Sequence, residues 1–321
     1  MQSNLMDALV IEQHGQAALR KMPKPTPPPD GVLIKVHYSG VSIGTEMLQG
    51  TGQHSGLALP FVAGYQATGE IVECGCDVHD YSVGEHVAIF CRGSHASYAT
   101  AIVGRVHRIQ NPSKAELTSL YVQPCVGANA LDQAQVLAQD SVLVIGQGLV
   151  GQSTAQLARL RGCAVTASDL SPSRLDISKR HCADLVLDAG HGALSQQTAS
   201  THPKGFSVVL ETTGSASVLD DAVNCCAQAG RLSITGYHPG RLSLPFDSAH
   251  KKGLCVHFPW FIGKHELRLG VIKLIEIGSF AMDPLISHRV HWSKSLPLYQ
   301  SLFTPARDQL NAIVIDWRDA N

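Results

Sequence analysis

The sequence predicts an α/β protein in which a β-rich domain is interrupted by a doubly wound parallel-sheet domain. Three observations predict it. Short runs rich in β-branched residues fill the first third of the 321-residue chain. Continuous apolar runs alternate with helical stretches after about residue 115, and strand character returns from about residue 284. A chain of this length exceeds one small core. Residues 1–112 and 284–321 are expected to form the β-rich domain, and residues 113–283 the α/β domain.

The elements follow in order. ALVIEQ and GVLIKVHYSG read as strands, separated by the stiff surface connector PKPTPPPDG. GEIVEC, EHVAIF and SYATAIV continue the β pattern. SVLVIG (141–146) is apolar throughout, the signature of a strand buried on both faces of a parallel sheet. A helix is expected over 150–161, a strand at CAVTASD (163–169) and a helix at SPSRLDISKRH, whose Ser-Pro-Ser opening suits an N-terminus. DLVLD, FSVVLETTG (206–214), a helix over 216–228 and GRLSITG (230–236) complete the alternation, and LISHRVHW and LNAIVIDW return to strand.

Composition excludes several functions. Twenty-five Lys and Arg balance 26 Asp and Glu, so there is no electrostatic footprint for nucleic acid or an anionic membrane. No apolar run reaches the roughly 18 residues of a membrane span. MQSNLMDALVIEQHG has neither the basic nor the apolar region of a signal peptide. Nine scattered cysteines, an odd number, read as reduced thiols, so a cytoplasmic location is expected.

The sharpest motif is Gly146-Gln147-Gly148-Leu149-Val150-Gly151, which follows a buried strand and opens a helix. Gly146 permits the turn, Gly148 lets the backbone approach a pyrophosphate, and Gly151 lets helix and strand pack closely. The amides of Leu149 and Val150 lie at the helix N-terminus, whose free N–H groups and partial positive charge suit phosphates. The next strand ends in Asp169, placed to accept hydrogen bonds from the adenosine ribose and to repel a 2′-phosphate. NAD(H) is therefore favoured over NADP(H), with Arg174 the residue that would reverse the preference. Thr212, Thr213 and Gly214 end a later strand on the side where open α/β sheets bind ligands. Gly236 and Tyr237 end the next one, where they either border the nicotinamide or simply form a turn.

The order of these features resembles the medium-chain dehydrogenase/reductase superfamily along the whole chain. It implies a GroES-like catalytic domain, a Rossmann domain and a cleft between them. Within the superfamily, YSGVSIGTE (38–46), PFVAGYQ (60–66), ISHRV (286–290) and IVIDWRDA are most similar to bacteriochlorophyllide a dehydrogenases, which oxidise a hydroxyethyl side chain on a chlorin-type ring with NAD. Zinc members carry a cysteine, a histidine and a later cysteine or glutamate where this chain has Ile43 or Ser42, Tyr65 with Gln66, and Gln123. Isoleucine cannot coordinate, and phenol and amide oxygens are poor zinc ligands, so no zinc is expected. Cys74, Cys76 and Cys91 do not form the family's four-cysteine lobe either.

Without a Lewis acid, charge on the substrate oxygen must be met by hydrogen bonds or proton transfer. The resemblance places Thr45 where zinc enzymes keep a proton-relay hydroxyl, and Tyr65 where the lost histidine stood. Either side chain also has a plain structural use, Tyr65 as filler of the vacated cavity and Thr45 as a turn hydroxyl. Glu46 matches the second-shell carboxylate and reads as a base or as a structural acceptor. His54, His95 and His257 lie in regions that could face a substrate. The aromatics of HFPWFIGKHE (257–266) border either a pocket or a homodimer seam, the seam being favoured. The leading expectation is a zinc-independent, NAD(H)-dependent dehydrogenase of a secondary alcohol or its ketone, acting on a small molecule such as a bulky ring-containing intermediate. The alternatives are an NAD(P)H-dependent reductase of a conjugated C=C bond and a non-catalytic NAD(H)-binding sensor.

Overall fold

A computed structural model of the chain describes residues 4–54 and 56–321. It contains two compact units, Met1–Val122 with Arg268–Asn321, and Gln123–Leu267. No helix among the described residues is long and apolar enough to cross a membrane.

The first unit begins with β1 (Leu5–Gln13), β2 (Gln16–Pro23), β3 (Gly31–Val41), α1 (Ile43–Gly50) and β4 (Phe61–Val62). It continues through β5 (Gln66–Cys74), β6 (His86–Phe90), β7 (Tyr98–Ile102), β8 (Val106–Arg108) and α2 (Ala115–Thr118). Strand β1 pairs antiparallel with β2 and β4. Its alternation serves two apolar clusters at once: Leu9 and Ile11 face one, while Met6, Ala8 and Val10 face the other. The larger cluster is built from β-branched residues of β3, β5 and β6, among them Val32, Ile34, Ile71 and Ile89, all fully buried.

The chain then enters the second unit through α3 (Val122–Gln133). Strands β9 (Ser141–Ile145), β10 (Ala164–Asp169) and β11 (Leu185–Asp188) are separated by α4 (Leu149–Leu160) and α5 (Pro172–His181). After α6 (Leu194–Gln197) come β12 (Phe206–Glu211), α7 (Leu219–Cys225), β13 (Cys226–Ile234), α8 (Phe246–Lys252) and β14 (Cys255–His257). All six strands run parallel in the order β11-β10-β9-β12-β13-β14. Numbered within the unit this is 3-2-1-4-5-6, the dinucleotide-binding order, with the strand order reversing beside β9. Central β9 is buried from Val142 to Ile145, which is why its sequence is continuously apolar.

Helix α9 (His265–Glu276) leads back to the first unit, followed by β15 (Ile286–His291), α10 (Ser295–Gln300) and β16 (Ala312–Asp316). Strands β15 and β16 complete a sheet with β3, β5, β6 and β8, and β7 pairs on β3.

Three boundaries differ from the sequence reading. The first unit runs to Val122 rather than residue 112, and the return to it begins at Arg268 rather than residue 284. Helix α9 is already anchored there: Glu276 accepts hydrogen bonds from the amides of Gln110 (2.6 Å) and Asn111 (2.9 Å), and Arg268 donates to the carbonyl of Gly104. The helix expected over 216–228 ends at Cys225. The next residues start β13, bent where Ala229 takes a positive φ of 55°.

Candidate active site

The glycine-rich loop of the second unit has the geometry its sequence demands. Gly146 has φ of 92°, a conformation L side chains rarely adopt. A Cβ on Gly151 would lie 1.8 Å from the Gly146 carbonyl oxygen, so helix α4 can start this close to β9 only with glycine there. A Cβ on Gly148 would meet nothing within 4 Å. The space over the loop is open, and no side chain caps the amides of α4 beginning at Leu149 and Val150. The loop fits a dinucleotide pyrophosphate.

Asp169, at the end of β10 and expected to accept from the adenosine ribose, also braces the glycine-rich loop. Its Oδ2 accepts from the Gln147 amide (2.5 Å) and its Oδ1 from the Ser171 amide (2.8 Å). Each oxygen keeps a lone pair for a ribose hydroxyl. Arg174 stands half-buried in the first turn of α5, close in sequence to Asp169. The Thr212 hydroxyl donates to the carbonyls of Ile145 (3.0 Å) and Gly146 (2.9 Å), which fastens the end of β12 to the loop.

Three residues that the sequence reading passed over hold this region. Gln147 is fully buried, donates to Val144 and Gly146 carbonyls, and accepts from Ser178 of α5. Glu211 is also fully buried. Its Oε1 accepts from the amides of Thr213 and Gly214 and from the Thr213 hydroxyl, and its Oε2 lies 2.8 Å from His238 Nε2. That pair joins the turn after β12 to the turn after β13. A Cβ on Gly236 would lie 2.3 Å from the Gly214 amide nitrogen, and Tyr237 is half-exposed beside it. Gly236 and Tyr237 thus belong to a turn clamped against Thr212–Gly214. The signal was present in VVLETTG, where a carboxylate follows three apolar strand positions.

In the first unit the candidate catalytic side chains lie on two elements. Thr45 is half-buried on α1. Tyr65 is half-buried in the extended segment before β5, its ring edge-on to Phe90 at 5.7 Å. Its carbonyl accepts from the Cys91 amide (2.9 Å).

Glu46, read above as a base or a structural acceptor, has the geometry of the acceptor. It is 1% exposed. Its Oε1 accepts from the Ser42 amide (2.8 Å), and its Oε2 meets His95 Nε2 (2.9 Å) and the Tyr299 hydroxyl (2.8 Å). His95 is fully buried, so this histidine does not face a substrate, and its Nδ1 lies 2.8 Å from Ser39 Oγ. Ser39 Oγ also accepts from Trp317 Nε1 (2.8 Å). Burial, then the Glu46 charge, pushes the Tyr299 phenol well above its ordinary value, so it remains a donor. The five side chains form one satisfied network through the core, in which Glu46 acts as a positioning residue. His95 also fills the space under Gly64, where a Cβ would lie 2.5 Å from its ring, next to Tyr65.

The positions where zinc relatives bind metal do not fit the ion. Catalytic zinc takes nitrogen, sulfur or carboxylate donors from three residues. Ser42, Ile43, Tyr65, Gln66 and Gln123 supply no thiol, imidazole or carboxylate. Gln66 is fully buried, with its side-chain oxygen taken by the Val122 amide (3.2 Å). Among the described residues no three His, Cys, Asp or Glu side chains are grouped to hold a metal.

Comparison with known proteins follows this layout. Residues 28–111 match the alcohol dehydrogenase GroES-like domain family, and residues 150–276 match the zinc-binding dehydrogenase family. The chain belongs to the medium-chain dehydrogenase/reductase superfamily. This medium-chain dehydrogenase/reductase is an oxidoreductase. It is 27% identical to L-threonine 3-dehydrogenase of Pyrococcus abyssi, over 89% of this chain and 91% of the relative. Two solved structures share its fold. One is a protein of Sinorhizobium meliloti 1021 assigned as a zinc-binding dehydrogenase and bound to NADP, with TM-score 0.88, 20% identity and 98% and 100% of the two chains covered. The other is a short chain alcohol dehydrogenase of Escherichia coli CFT073 complexed with NADH, with TM-score 0.87, 20% identity and the same coverage.

Proposed function

We propose that this medium-chain dehydrogenase/reductase interconverts a secondary alcohol and its ketone on a small molecule, using NAD(H) and no zinc. The observation that carries the reading is the donor set: no thiol, imidazole or carboxylate stands at any of the metal positions while the cofactor loop and Asp169 are intact. When bound, NAD(H) supplies the hydride acceptor or donor. The protein's own groups do the rest. Gly146, Gly148, Gly151 and the first amides of α4 hold the pyrophosphate, and Asp169 takes the ribose. The Tyr65 hydroxyl hydrogen-bonds the substrate oxygen, and Thr45 passes the alcohol proton outward. Glu46 and His95 hold α1 and the Tyr65 segment in place.

The motif likeness to bacteriochlorophyllide a dehydrogenases supports a bulky ring-containing biosynthetic intermediate as substrate. The free thiols support a cytoplasmic enzyme. Phe258 and Trp260, 61% and 78% exposed beside β14, support a homodimer seam in the second unit. A second reading, reduction of a conjugated C=C bond with NADPH, draws on Arg174, since an arginine near Asp169 suits a 2′-phosphate.

Parallel titration with NADH and NADPH, with metal analysis of the same sample, tests the proposal. Tighter NADH binding and no stoichiometric metal are expected. NADPH preference would transfer the case to the second reading, and one zinc per chain would overturn the donor-set argument.

A further inference from the structure

The first unit contains an open groove of about 310 Å³ whose wall includes Tyr65. Met6, Leu57, Phe61 and Val62 give it an apolar lining, with Gln49 and Thr100 as neutral polar groups. Among the described residues no carboxylate lines it, and the one charged wall residue is Arg92. The exposed guanidinium forms no ion pair or hydrogen bond among the described residues. A second cation stands at the rim, where the Lys24 ammonium lies 3.9 Å from the ring centroid of Tyr98, another wall residue.

The backbone fixes Arg92 relative to Tyr65. The Cys91 amide donates to the Tyr65 carbonyl and the Gly93 amide to the Gly64 carbonyl, both at 2.9 Å. The Ser94 hydroxyl donates to the Gln66 carbonyl (3.1 Å). Arg92 is therefore carried on a tight turn laddered on both sides to the segment that presents Tyr65. A positive fork without a counter-ion, set in an apolar groove beside a phenol, is complementary to an oxyanion on an apolar body. One unpaired guanidinium matches the charge and bidentate geometry of a carboxylate.

We propose that the groove binds a hydroxy acid, with its carboxylate on Arg92, its apolar body on the Phe61 wall and its secondary alcohol at Tyr65. The alcohol end rests on the function proposed above, whereas the carboxylate end is independent of it. The test uses a matched pair of secondary alcohols, 4-(1-hydroxyethyl)benzoate and 1-(4-methylphenyl)ethanol, with the full chain and NAD. The carboxylate probe should have the higher kcat/KM by roughly 10- to 100-fold, the loss expected for removing a charged hydrogen-bonding partner. Arg92→Gln should bring the ratio of the two probes close to one, and Arg92→Lys, which keeps charge but loses the fork, should give an intermediate ratio. Equal kcat/KM for the two probes in the unaltered protein, or a ratio unmoved by Arg92→Gln, would overturn the proposal. If neither alcohol is oxidised, the function proposed above fails, and calorimetry of the same probes on the NADH-loaded protein still decides this one. Carboxylate-selective binding lost in Arg92→Gln sustains it, and binding without selectivity, or none, overturns it. A matched phosphate monoester bound tenfold more tightly than the carboxylate would overturn the carboxylate assignment.

Discussion

The two units place their working groups by different means. In the second unit the chain's own backbone makes the site: glycines clear a path, a helix offers its first amides, and side chains such as Gln147 and Glu211 hold the turns around them. In the first unit side chains converge from distant points. Ser39, Glu46, His95, Tyr299 and Trp317 meet in one buried network, with up to 278 residues separating hydrogen-bonded partners. A backbone-built site tolerates side-chain change and fails when a Cβ is added. A side-chain-built site fails when one partner is removed.

The largest expected effect tests the first unit. Tyr65→Phe should lower kcat by roughly 10²- to 10⁴-fold, the range of a lost general acid–base group, with NADH affinity retained. Unchanged turnover would make Tyr65 a packing residue against Phe90. Glu46→Ala comes next. It strands the Ser42 amide, His95 and Tyr299 in the core and should cost about 3–5 kcal/mol in denaturant unfolding, as for a broken buried pair. A loss under about 1 kcal/mol would show that the network is not what holds α1.

The second unit should answer to the opposite change. Gly151→Ala puts a methyl group 1.8 Å from a carbonyl oxygen. The strain should weaken NADH binding roughly 10- to 100-fold, measured by fluorescence titration. Affinity within a factor of about two would mean that the loop has room the geometry denies.

The smallest effect is a pH dependence. Burial pushes the thiols of Cys91, Cys182, Cys225 and Cys226 up to about 12 from an ordinary value of 9.0. Between these values the unfolded chain has released protons that the native state still holds. Stability is therefore intact below pH 9 and falls as pH rises toward 12. Cys225→Ala should flatten that fall in thermal melts. An identical slope would show that the thiol ionises freely in the native state.

This contrast also explains what the sequence disclosed. Strand β9, the glycine loop and Asp169 were legible because each depends on local pattern: an apolar run, a spacing, a strand end. Ile43, Tyr65, Gln66 and Gln123 stand out only through resemblance, since nothing in their local pattern marks them as metal positions. The role of Glu46 was not legible, because its side-chain partners lie on the turn after β6 and on α10, and no local pattern joins them. His95 was misplaced for the same reason, a loop histidine by sequence but a core residue by packing. The unpaired state of Arg92 was also invisible, since a lack of partners is a property of the folded surroundings. The end of α7 at Cys225 was missed because helix propensity continues past it, whereas pairing with β12 converts the next residues to strand.

The tryptophans give this division a spectroscopic use. The chain has three. Trp317 is fully buried in the first unit and stacks on Trp292 with centroids 6.0 Å apart, whereas Trp260 in the second unit is 78% exposed. Emission from Trp317 should be blue-shifted and shielded from iodide, and emission from Trp260 red-shifted and readily quenched. Without any label, the collapse of the blue component during denaturation marks the loss of the unit that carries Tyr65, against the emission of Trp260, which is open to solvent from the start.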